Sequence, residues 1–241
     1  MAESPTKTAL DPLYLPGLVV LTFSTGLVDA VSYLALDRVF TGNMTGNVLF
    51  VGFGLAGDTD VPLLNNALAL VAFVIGAVCS GRIVRGRTHA SRFPTANLVV
   101  LTCSAVVVLA IGVWWRVVGE LPRPALLITT GLLALSMGAQ AVSIRAAGIA
   151  DVTTVVVTTT LVNLAMQSHL AGGRGDRWPR RLGAVLAMGG GGALGAFLIL
   201  WTTGADALIC AAAVMGIGTI ALAMARRREV EYLHAHGAEA S

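Results

Sequence analysis

Charge is scarce in this chain of 241 residues: Asp, Glu, Lys and Arg together make up 12% of it, where soluble domains carry about 25%. With 56% hydrophobic residues and a mean hydropathy of +0.80, an ordinary soluble domain is excluded, because one core could not bury the apolar runs that recur along the chain. Cysteine is sparse too. Cys79, Cys103 and Cys210 fall inside apolar runs at no metal-like spacing, so they read as small packing residues. The four histidines, His89, His169, His234 and His236, sit at helix edges or in the polar tail, which leaves no metal-ligand cluster. No nucleophile stands beside a base and no helix face carries two carboxylates, so no enzyme is expected and no cofactor is implied. The first apolar run follows a polar segment with Glu3, Lys7 and Asp11 and precedes no small-residue cleavage site. A removable signal peptide is therefore not expected.

What is present is a set of runs near the roughly 20-residue length that spans a bilayer. Pro16–Leu36, Pro62–Val84, Thr95–Val118, Pro124–Ala147, Leu182–Trp201 and Ala207–Ala225 read as six transmembrane helices. They form one integral membrane domain over 1–241, with polar tails at 1–13 and 229–241. Arginines gather in short stretches: Arg82, Arg85, Arg87 and Arg92; Arg174, Arg177, Arg180 and Arg181; and Arg226 to Arg228. Basic loops beside spans mark the cytoplasmic side, which accounts for them better than nucleic-acid binding does. Both termini are then cytoplasmic and the protein is multi-pass, with the lipid bilayer as its surroundings.

Two semi-apolar pieces, Phe40–Ala56 and Val152–Leu170, do not fit as spans under that charge rule, so each is expected to enter and leave on one face. The halves also echo each other: Asp29–Ser32 reads DAVS and Gln140–Ser143 reads QAVS. Three spans and one broken piece per half, about 14–120 and 121–228, make the second repeat inverted relative to the first, an arrangement found in secondary transporters. The expected fold is thus all-α, six helices in two inverted three-helix repeats, each with a re-entrant half-helix.

In the first broken piece, Thr41-Gly42-Asn43-Met44-Thr45-Gly46-Asn47 favours turns. The Val48–Ala56 stretch after it would make roughly 13 Å of helix. In the second, the β-branched run Val152–Thr160 is a poor helix former, and a short helix is expected over Leu161–Leu170. Thr45, Asn47, Thr158 and Thr160 can supply N-cap oxygens. Half-helices that start at membrane depth aim free N–H groups inward, which favours an anionic or carbonyl-bearing ligand group. A substrate site is expected where the two meet, from Asp29, Ser32, Thr41, Asn43, Thr45, Gly46, Asn47, Gln140, Ser143, Thr158 and Thr160. Asp29 stands out, since an aspartate in a span costs about 2.5–3.5 kcal/mol on insertion scales. It can take a proton unless a cation or hydrogen-bond donors hold it charged.

Structural readings stand beside these. Asp29 can cap the broken segment, and Ser and Thr in spans often bond back to their own helix. Asn65, Asn66, Asn97 and Asn163 read as helix-contact residues, and Arg145 with Asp151 as an architectural pair. Gly189–Gly192 with Gly195 has small-xxx-small spacing and lacks the lysine of a P-loop.

The pattern GLVDAVSYLAL from Gly26 followed by VFTGNMTGNVLFVG from Val39 resembles the YoaK family, small bacterial inner-membrane proteins classed as a domain of unknown function. The resemblance covers nearly the whole chain and implies a six-span protein, with no established activity. The family's second half often carries glycine where this chain has Thr158-Thr159-Thr160. The function expected from the residues is secondary transport of a small polar or anionic solute, proton- or cation-coupled through Asp29. A passive channel and a non-transporting scaffold or assembly partner are the alternatives, and a homo-oligomer is compatible with the sequence.

Overall fold

The computed structural model describes residues 5–85, 93–146, 157–168, 171–173 and 178–237. Among the described residues the secondary structure is helical throughout: α1 (Pro5–Ala35), α2 (Met44–Leu55), α3 (Leu63–Val84), α4 (Thr95–Val118), α5 (Arg123–Ala146), α6 (Val157–Met166), α7 (Trp178–Trp201) and α8 (Gly204–Gly237). Six of them, all but α2 and α6, are long and apolar enough to cross a membrane.

Helix extents depart from the sequence expectation most clearly in α1, α8 and α6. The α1 helix runs through Pro12 and Pro16 and so begins before Pro16. The α8 helix continues past Ala225 through the arginines and into the segment expected as a polar tail, to Gly237. There Tyr14 Oη donates to Glu229 Oε2 at 2.5 Å, both residues being buried, which ties the end of α8 to the start of α1. Within the described part of α6, Thr158, Thr159 and Thr160 are helical. Context overrides their modest propensity there, and 151–156 lies outside the described residues.

The helices pair in a definite pattern. The α1 helix packs on α7 and α8, α5 packs on α3 and α4, α4 packs on α8, and the short α2 and α6 lie against α3 and α7. Thinner contacts join α3 to α4, α7 to α8 and α1 to α5. Two of these crossings are exceptionally close because each puts a glycine on both helices. A methyl group at Gly26 would sit 2.1 Å from the Met188 carbonyl oxygen, and one at Gly191 would sit 1.9 Å from that of Phe23. At the α3–α5 crossing, Gly76 faces the Leu135 oxygen at 2.0 Å and Gly138 faces the Phe73 oxygen at 2.1 Å by the same measure. Only glycine lets two backbones come this near. The expected close-packing role of the Gly189–Gly195 stretch falls on Gly191 and Gly195, while Gly189 faces open space.

Candidate functional site

The chain between α1 and α2 folds back onto α1. Asp29 is two turns before the end of that helix and is 5% exposed. Its Oδ1 accepts the Thr41 N–H at 3.1 Å and the Gly42 N–H at 2.7 Å. Gly42 is buried against Thr25 and Asp29, where an added methyl would lie 2.9 Å from Thr25 Cγ2. The turn that leads there places Asp37 and Arg38 in the left-handed region, at φ of 68° and 52°, which few L-residues adopt. Asn47 then clasps the loop. Its Nδ2 donates to the Phe40 carbonyl at 2.6 Å and its Oδ1 accepts the Phe40 N–H at 2.9 Å. Tyr33, Phe40 and Phe50 stack beside this clasp.

The helix that follows starts within the motif, at Met44, so Thr45, Gly46 and Asn47 belong to its first turn. The residue preceding it, Asn43, makes no side-chain capping bond. Capping by Thr45 or Asn47 is thus replaced by two other devices: Asp29 takes the loop amides and Asn47 holds Phe40. Asn43 and Thr45 are exposed, and Gly46 packs against the Phe40 ring.

Polar groups continue inward from Asp29. Thr41 Oγ1 donates to Ser32 Oγ at 3.4 Å, and Ser32 Oγ donates to the Asp29 carbonyl at 3.1 Å. Gln140 Nε2 on α5 donates to Thr25 Oγ1 at 3.2 Å, which links the second half to the Asp29 turn. Thr25, one turn before Asp29, was not singled out by sequence; its bond to the Leu21 carbonyl is what any span threonine does. Asp29 Oδ2 and Gln140 Oε1 are both buried and accept no hydrogen bond among the described residues.

The other expected members lie elsewhere. Ser143 shares a 3.1 Å hydrogen bond with Ser80, and Asn97 Nδ2 donates to the Ser143 carbonyl at 2.7 Å, a knot between α3, α4 and α5. Asn65 Nδ2 donates to the Leu36 carbonyl, so both asparagines serve as helix contacts. Thr158 is exposed and Thr160 buried on α6, which packs on α7 away from Asp29. The Asp151 partner expected for Arg145 lies outside the described residues.

A cleft of about 300 Å³ lies between α1, the loop and α7, with Asp29, Tyr33, Phe40, Asn43, Met188 and Gly192 in its lining. A larger one, about 670 Å³, is walled by α3 and α5 with Arg82, Arg85 and Arg145 at its edge. Arginines at helix ends beside apolar walls are the ordinary snorkelling arrangement, whereas the smaller cleft has a buried carboxylate, Asp29, in its wall with one oxygen, Oδ2, that accepts no hydrogen bond among the described residues.

The family model described as "protein of unknown function (DUF1275)" matches residues 17–221, from the glycine in the first turns of span one to the last span. The chain belongs to this family. Within it, a relative from Bacillus subtilis (strain 168), the UPF0700 transmembrane protein YoaK, is 31% identical over 147 residues. That match covers 61% of this chain and 64% of the relative, less than two thirds of its length. No solved structure matches. As a DUF1275 member the chain is a multi-pass membrane protein, and the Asp29 loop lies inside the matched region.

Proposed function

We propose that this protein is a secondary transporter for a small polar solute, built from two inverted repeats, with Asp29 as its coupling group. The observation that carries the reading is the helix-pair pattern. Exchanging α1–α4 for α5–α8 turns α1–α7 into α5–α3, α1–α8 into α5–α4, and α2–α3 into α6–α7, while α4–α8 and α1–α5 map onto themselves. The two glycine crossings exchange in the same way, Phe23 and Gly26 for Leu135 and Gly138, and Phe73 and Gly76 for Met188 and Gly191. The letter match of DAVS with QAVS is one residue out of register with this packing, which sets Asp29 against Ala141 rather than Gln140. With three spans per half, such an exchange inverts the second half.

The α2 segment is re-entrant in this reading. The loop that leads into it bonds Asp29, about 9 Å before the end of α1 at 1.5 Å per residue, and its last turn meets Leu63 at the head of α3. Charge places both termini in the cytoplasm of an inner-membrane protein. The anionic form of the sequence expectation loses support, because the Thr41 and Gly42 amides are already taken by the carboxylate of Asp29. A charged Asp29 holds the loop through two acceptor bonds, whereas a proton converts one of its oxygens to a donor. Both amides sit on Oδ1, so a proton on Oδ2 leaves their acceptor in place but removes the charge that strengthens both bonds; protonation loosens the loop in that way, and that is the coupling step.

Reconstituted protein should take up a solute under an imposed proton gradient, with saturation, and Asp29→Asn should abolish the dependence on the gradient while leaving the elution profile unchanged. Uptake that is unsaturable would establish a passive channel. Gradient-driven uptake that survives Asp29→Asn would remove Asp29 from the mechanism.

A further inference from the structure

We infer that the cleft beside Asp29 binds an organic cation, a quaternary or protonated amine with an apolar body. The inference deepens the transport reading by naming a substrate class, and rests on it only for the step from binding to movement. Three features of the cleft select this chemistry. First, among its described lining residues Asp29 is the one carboxylate and there is no Lys, Arg or His, so an anion would meet no counter-charge from them. Second, Asp29 has an oxygen to spare. Oδ1 holds the Thr41 and Gly42 amides and the Asn43 N–H approaches the carboxylate, while Oδ2 is buried and makes no hydrogen bond of ordinary geometry among the described residues. Leaving a buried acceptor in that state is costly, and a cation beside the carboxylate relieves the cost by ion pairing, with a hydrogen bond added where the cation carries an N–H.

Third, the walls suit an apolar body. Gly26, Ala30, Leu34 and Ala196 complete the lining, and the Tyr33 and Phe40 rings stack with centroids 4.9 Å apart. A cation within reach of these rings gains cation–π attraction on top of the ion pair. Of the lining residues, Leu34 and Asn43 are exposed. At about 300 Å³ the cleft is at the small end of ligand pockets. A ring bearing one trimethylammonium group is of suitable size.

The probe is benzyltrimethylammonium, measured by equilibrium dialysis against the full chain in lipid nanodiscs, with benzoate as the anion of similar shape. Saturable binding of the cation is expected, with benzoate weaker by about tenfold or more, the scale of one lost charge-assisted contact. Gly192→Leu fills the cleft. The nearest atom to a Cβ there is the Gly26 carbonyl oxygen at 3.9 Å, so the first atom of the new side chain meets no backbone clash. It should abolish binding without loss of fold. Asp29→Asn should weaken binding by about tenfold; if that variant does not fold, Gly192→Leu and the benzoate comparison decide. Equal binding of benzoate, or unchanged binding in Gly192→Leu, would overturn the inference. Binding without gradient-driven uptake would leave the site standing and remove the transporter. Transport of another solute with no cation binding would do the reverse.

Discussion

Asp29 combines two jobs that can be separated by substitution. Asp29→Ala removes the acceptor of both loop amides in a buried setting, at a cost of about 1–3 kcal/mol per orphaned group. Asp29→Asn keeps a carbonyl oxygen that can still accept. Thermal unfolding in detergent should therefore fall clearly in the alanine variant and much less in the asparagine variant; equal losses would mean that the loop does not depend on this acceptor. Asp29 was legible in the sequence because an acid in an apolar span has few innocent explanations, and Thr41 and Gly42 because turn formers stand out there. Thr25 was not, since a threonine in a helix carries no mark of what crosses it. The same holds for Tyr14 and Glu229, which meet from opposite ends of the chain; local patterning carries no record of such a pairing.

At the level of the helix, close approach is concentrated in four glycines. Gly26→Ala and Gly138→Ala each drive a methyl into a partner carbonyl, an overpacking that costs about 1–3 kcal/mol and more where backbone must shift. Gly189→Ala meets nothing within 4 Å and should instead gain up to about 1 kcal/mol from helix propensity. Melting temperatures of the three variants in one detergent check the contrast, and a harmless Gly26→Ala would deny the crossing its role. Span positions were legible from hydropathy, which reports the lipid-facing run directly. Helix extents were less so: α8 outlasts its apolar stretch because Glu229 finds Tyr14, and α6 takes in Thr158, Thr159 and Thr160, part of a β-branched run that propensity alone reads as a break.

For the molecule as a whole, topology is the most exposed expectation. Single cysteines at Asp60 and at Arg177, in a background without Cys79, Cys103 and Cys210, should respond oppositely to a membrane-impermeant thiol reagent on intact cells. The first should label and the second should not; labelling at Arg177 would put that loop outside and withdraw the inverted arrangement. The glycine crossings carry one further consequence, for the way the chain is put together. Each joins a helix from one half to a helix from the other, α1 to α7 and α5 to α3. The first half therefore leaves the ribosome with Gly26 and Gly76 facing no partner of their own. Its two tightest surfaces are completed only when α5 and α7 arrive. The halves are interlocked rather than adjoining, so it is the insertion of the second half that closes the first.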